Sequence, residues 1–119
     1  MSTLKLPELN EGEFNAGIIM EDGKLHHWLI LLPGDHEAAD WKDSKAWAAS
    51  INGELPTRRE QSLLFANCKQ HFERDWYWSG EAYASAASSA WMQGFGYGGQ
   101  GTYRTSGQCR ARAVRRLPI

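Results

Sequence analysis

The stretch from Ser89 to Gly107, SAWMQGFGYGGQGTYRTSG, holds six of the chain's twelve glycines. A glycine inside a helix costs about 1 kcal/mol relative to alanine, so this density forbids a helix here. The last third of the chain is thereby restricted to strands and turns. Trp91, Phe95, Tyr97 and Tyr103 punctuate the glycines, and each ring gains roughly 1.5–3 kcal/mol from burial, which argues against a free linker. A phosphate-cradling loop is also disfavoured: no helix follows to offer its N-terminus, no Gly-Lys-Ser/Thr string occurs, and the next element is basic. What remains is a folded, turn-rich surface. Trp91 and Phe95 read as core residues, whereas tyrosine and arginine are the residue types that most often anchor interfaces.

The earlier chain supplies the helices. FNAGIIM and LHHWLILL are apolar, strand-forming runs joined by Glu21-Asp-Gly-Lys24, which predicts a hairpin over Phe14–Leu32. DWKDSKAWAASI predicts a first helix over Asp40–Ile51, ended by the left-handed stop Asn52-Gly53. Leu55-Pro-Thr-Arg-Arg-Glu60 carries a capping box, in which Thr57 caps the first turn and Glu60 reaches back to the Thr57 amide. A second helix is therefore expected at about 58–70, with Leu63, Leu64 and Phe65 as its apolar stripe. Strands are expected at 76–79, 90–95 and 109–116. The class is α+β: small antiparallel sheets flanked by two short helices, with a long irregular segment. In organisation, residues 1–13 read as an N-terminal extension and 14–119 as one domain.

Composition bounds the function. With 119 residues, 42% of them hydrophobic, and six tryptophans, the chain can bury a core without metals or several disulfides. A net charge of −1 argues against broad attraction to nucleic acid. The first seventeen residues show no secretory signal and no run reaches membrane-spanning length, so cytosolic synthesis is expected. Cys68 and Cys109 would close a loop worth roughly 3–4 kcal/mol if joined. A reducing compartment favours free, buried thiols, with a disulfide left open.

LPTRREQSLLFAN (55–67), WYWSGEAY (76–83) and AWMQGFGYGGQGTYRTSGQCRARAVRR (90–116) together resemble the domain family typified by the C-terminal part of a bacterial collagen-like adhesin. That family is common in phages and prophages and is similar to the C-type-lectin-like fold. The resemblance covers about residues 25–117. It implies pairing of the N- and C-terminal strands, two helices flanking the sheet, and a ligand-facing side built from the late segment. In the phage branch an apolar residue stands where Cys68 and Cys109 stand, which implies that both are small core residues. Formylglycine-generating enzymes share the fold, but their reactive cysteines lie close together late in the chain, whereas here they are forty-one positions apart. The Glu-Pro-Asn and Trp-Asn-Asp tripeptides of calcium-dependent lectins do not occur.

Other candidate sites are weaker. In RARAVRR, strand alternation puts Arg110, Arg112, Val114 and Arg116 on one face and Ala111, Ala113 and Arg115 on the other, spreading the charge. These arginines are expected to pair with acids such as Glu60, Glu73, Asp75 or Glu81. His26 and His27, neighbours in a strand, are expected on opposite faces and so unable to share an ion. His36 and His71 fall in loop or helix-end positions. In WYW, Trp76 and Trp78 are expected on one core-facing side, against Trp47 and Leu64, with a sugar-stacking platform as the alternative. No nucleophile has an identifiable base.

The expectation is a non-enzymatic phage- or prophage-type binding module, without cofactor or metal, that presents residues of about 80–108 to a protein or glycan partner. The candidate contact residues are Tyr83, Gln93, Tyr97, Gln100, Tyr103 and Arg104. Nucleic acid and membrane are not expected partners, and oligomeric state is open. Such a module would act as a virion or tail accessory, or inside the host cell as an inhibitor of a host factor. A formylglycine-generating-type oxidase is the enzymatic rival.

Overall fold

The computed structural model describes residues 4–119. Strands β1 (Phe14–Glu21) and β2 (Lys24–Leu31) form the expected hairpin. Its two-residue turn has φ of 51° at Asp22 and 74° at Gly23, the left-handed pair whose twist suits a tight hairpin. After β3 (His36–Ala39) comes α1 (Trp41–Ser50), capped by the Asp40 side chain on the Asp43 amide and stopped at Asn52 with φ of 62°. Helix α2 (Arg58–Cys68) starts on the complete Thr57–Glu60 capping box and runs into one 3₁₀ turn, Lys69–His71. The remaining strands are β4 (Trp76–Ala82), β5 (Ser89–Gly94), β6 (Gln100–Arg104), β7 (Cys109–Ala111) and β8 (Val114–Pro118).

Two sheets result, a three-stranded one of order β1-β2-β8 and a five-stranded one of order β3-β7-β4-β5-β6. All pairings are antiparallel except β4 with β7. The architecture is α+β, and N- and C-terminal strands do pair, through β2 and β8. The late segment is less irregular than expected: β5 and β6 form a regular hairpin from Ser89↔Arg104 to Gln93↔Gln100.

The single strand expected over 109–116 is two strands in different sheets. Between them Arg112 and Ala113 carry the chain across, with the Leu32 amide donating to the Ala113 carbonyl at 3.0 Å. Arg112 is consequently buried, and it donates to the carbonyls of His71 (2.6 Å) and Leu32 (2.7 Å). Burial pushes its pKa down. Alternation across 110–116 therefore fails at the crossing.

Two hydrophobic clusters flank β4. One lies under α2 and joins Leu29, Leu31, Leu64, Phe72, Tyr77 and Phe95; the other lies under α1 and joins Leu32, Ala48, Leu55, Trp78 and Ala111. Adjacent residues Tyr77 and Trp78 enter opposite clusters and both are fully buried, because β4 is internal to its sheet and covered on both faces. Trp47 packs against the cluster that holds Trp78, as expected, whereas Leu64 belongs to the other cluster, with Tyr77. Trp76, expected in the core, is exposed: it begins the strand, beyond the helices' cover.

Residues 4–13 of the N-terminal extension are tied to β8. Glu13 accepts from Arg115 at 2.8 and 2.9 Å and from the Asn10 amide at 2.7 Å; the Arg115 contact, opposed by desolvation, holds its carboxyl below the ordinary value. Residues 1–3 lie outside the described residues. Among the described residues no helix is long and apolar enough to cross a membrane.

Candidate functional site

The β5–β6 hairpin is held at both ends of its length. At its turn the Gly94 amide donates to Gly99 O and the Gly98 amide to Gly94 O, both at 2.8 Å. Phe95 leaves the turn inward, stacking on Phe72 at 3.9 Å and meeting Tyr77 edge-on. Gly98 has φ of 84°, and a Cβ there would fall 2.9 Å from the Phe65 ring, so both conformation and space require glycine. With Phe95 anchored, the next residue but one, Tyr97, is left 91% exposed.

Beside Tyr97 is a groove of about 520 Å³ lined by Arg74, Asp75, Trp76, Gly94, Gly96 and Gly99. The six-membered ring of Trp76 lies about 3.5 Å from where a Gly94 Cβ would be, so it rests on a floor of bare backbone. Arg74 approaches the Tyr97 ring with its guanidinium carbon 5.7 Å from the centroid. Two exposed rings are thereby placed together with a cation and a carboxylate.

One face of the hairpin carries a second arrangement. Cross-strand partners project to the same side, and the pairs Ser89↔Arg104, Trp91↔Thr102 and Gln93↔Gln100 define that side. Trp91 is only half-buried, against its expected place in the core. The Arg58 guanidinium stacks on its ring at 3.4 Å and Tyr83 meets it edge-on at 5.6 Å. Thr102 and Arg104 continue the face into solvent.

The six candidate residues therefore separate. Tyr97 and Arg104 are exposed, and Tyr83 is half-exposed beside Trp91. Tyr103 points the other way, stacking on Trp78 with centroids 6.1 Å apart and joining the cluster under α1. Gln93 is fully buried: its Nε2 donates to Gln61 O at 2.9 Å and its Oε1 accepts from Gln100 at 2.7 Å. Gln100 is spent on Arg58, donating to its carbonyl and accepting from its Nε. The two glutamines join the hairpin to α2 rather than face outward.

Arg58, Arg74, Trp76 and Trp91 were missed as site residues. The Gly94 floor under Trp76 is a cross-strand relation, and the Arg58–Trp91 stack joins positions 33 apart in the chain; neither leaves a local pattern.

The C-terminal arginines are engaged within the chain. Arg110 pairs with Asp35 and Asp75, Arg115 with Glu13, and Arg116 with Glu60 and Glu54. Of the four expected acids, Glu60 and Asp75 serve; Glu81 instead accepts from the Arg58 amide. Glu60, 1% exposed, takes four donors: Thr57 N at 2.9 Å, Arg116 Nη2 at 2.8 Å, and Arg116 Nε and His27 Nε2 at 2.7 Å each. Burial alone would raise its pKa, and these contacts, led by Arg116, hold it below 4.5.

His26 and His27 do not point apart as expected. Ile19 pairs with His27 and Met20 with Leu25, so His26 is the extra residue of a β-bulge, and the alternation is broken there. Their Nδ1 atoms lie 2.6 Å apart. His36 sits in β3, stacked on Trp47, and His71 stacks on Phe14.

Both cysteines are free and buried, Cys68 in the cluster under α2 and Cys109 in the one under α1. Burial, helped by Asp75, pushes the Cys109 thiol up to about 12. The two thiols thus lie in separate clusters. Compared with protein-family models and with curated proteins, the sequence matches none.

Proposed function

We propose that the chain is a non-enzymatic binding module of the C-type-lectin-like kind, which engages a protein or glycan partner through the β5–β6 hairpin and the groove at its turn. The observation that carries this reading is Tyr97. A tyrosine ring 91% exposed on a hydrogen-bonded turn, next to exposed Trp76 and Arg74, is a preformed contact whose ordering cost is met by folding. The Arg58–Trp91–Tyr83 stack extends the same chemistry along the hairpin face. In a phage or prophage setting such a module serves as a virion or tail accessory that recognises a host surface component. The scaffold itself does not fix the partner.

The test separates surface from core. Tyr97→Ala combined with Arg104→Ala should move the melting temperature by no more than a few degrees and abolish capture of a partner from host envelope extracts or a glycan panel. Tyr103→Ala, which empties space against Trp78, should lower the melting temperature instead. Undiminished capture by the double variant would refute the assignment.

A further inference from the structure

Away from the hairpin, a second pocket of about 520 Å³ is lined by Ile19, Glu21, His26, His27, Glu60 and Arg116, among others. Its wall holds the two facing histidines, and hydrogen-bond accounting fixes where their protons are. The Glu60 carboxylate is held ionised and is acceptor-only, so the His27 Nε2 contact at 2.7 Å places a proton on Nε2. In the neutral ring that leaves a lone pair on His27 Nδ1. The 2.6 Å contact then requires His26 Nδ1 to be the donor. His26 Nε2 keeps its lone pair and lies 3.7 Å from Glu21 Oε2.

This pair accepts protons unequally. A first added proton goes to His26 Nε2, leaving the contact between the rings intact and setting a cation toward Glu21. A second has one place left, His27 Nδ1, which already receives the His26 hydrogen; two N–H groups would then oppose each other across 2.6 Å. We propose that His26 and His27 form a proton-limited latch, which takes up one extra proton closed and opens when a second is forced on. His27 is buried and clamped by Glu60, whereas the His26 side chain is 54% exposed, so His26 is the ring that leaves. Its departure remodels the mouth of the pocket and loosens the adjoining hairpin turn at Asp22-Gly23.

The charged groups around the pair come from every neighbouring element. Glu21 faces it from β1, Asp22 from the turn, Arg59 and Glu60 from α2, Glu81 from β4 and Arg116 from β8. Arg116 is neutralised by Glu60 and Glu54, and Arg59 donates to Met20 O at 3.2 Å. Glu21, Asp22 and Glu81 thus outnumber the remaining cation on the pocket wall, and none of them relieves the opposition of two N–H groups across the Nδ1–Nδ1 contact.

Histidine side-chain ¹⁵N–¹H spectra of the intact protein, recorded from pH 8 down to pH 5, read the tautomers directly. At pH 8 the expected pattern is a proton on His27 Nε2 and on His26 Nδ1. On acidification the two rings should take up one proton jointly. The second should enter only in a separate step at lower pH, with amide shifts at Glu21–Lys24, or not enter at all above pH 5. In His26→Ala, His27 should titrate in one step without the turn shifts. A proton on His27 Nδ1 at pH 8 would overturn the proposal, as would two rings titrating independently with an unmoved turn.

Discussion

Replacing Glu60 by glutamine tests how the C-terminal strand is locked to α2. The side chain keeps its shape, but both carboxylate oxygens each receive two donors: Thr57 N–H and Arg116 Nη2–H on one, His27 Nε2–H and Arg116 Nε–H on the other. Turned one way, the amide NH₂ meets the Thr57 and Arg116 Nη2 N–H groups; turned the other, it still meets Arg116 Nε–H, although His27 can change tautomer and accept. Breaking half of a buried, charge-assisted cluster costs about 2–4 kcal/mol. Glu60→Ala, which loses the reciprocal half of the capping box as well, should cost about 3–5 kcal/mol. At roughly 4 °C per kcal/mol for a chain of this length, glutamine lowers the melting temperature by about 8–16 °C. Urea titration and thermal melts followed by far-ultraviolet circular dichroism measure this. The pH dependence carries a sign of its own. The folded pKa of Glu60 lies below 4.5, so its stabilisation is present above that pH and is lost as the pH falls through the folded value. The gap between wild type and Glu60→Gln should therefore narrow in acid. A loss under about 1 kcal/mol at pH 7, or a gap that widens in acid, would refute the reasoning.

Gly98→Ala should destabilise by about 1–3 kcal/mol, because φ of 84° and a Cβ 2.9 Å from Phe65 both oppose it; urea unfolding measures the loss. Cys109, with its thiol pushed up to about 12, and Cys68, raised by burial, should resist iodoacetamide at pH 8 until the protein is unfolded. Mass spectrometry reads the adducts, and labelling of the native protein would contradict their burial. Arg112→Met should cost about 2–3 kcal/mol by orphaning the buried carbonyls of His71 and Leu32, read by the same melts.

Features that rest on neighbouring residues were legible in the sequence. The Asp22-Gly23 turn, the Thr57–Glu60 box and the Asn52 stop each arise from a few adjacent positions, and all three stand as read. So does the exposure of Tyr97, which follows from Phe95 taking the inward place. Features decided by distant partners were not. RARAVRR alternates evenly as a string, and only the demand of β2 for an edge partner turns the chain between sheets at Arg112. The bulge at His26 is a property of register between two strands, invisible in either one. Trp76 and Trp78 share a strand parity, yet the cover given by the helices ends between them. Glycine-rich β6 was hidden because its pairing with β5 comes from the neighbour's side chains and backbone, while its own residues favour turns.

The proposed contact requires the late hairpin to be an ordered exterior before any partner arrives. Backbone ¹⁵N relaxation of the free protein measures this most directly. Order parameters near about 0.85 from Ser89 through Arg104, the 95–99 turn included, and level with those of α2, are the predicted result. Values below about 0.6 across the turn would contradict it, since a mobile Tyr97 could not be a preformed contact.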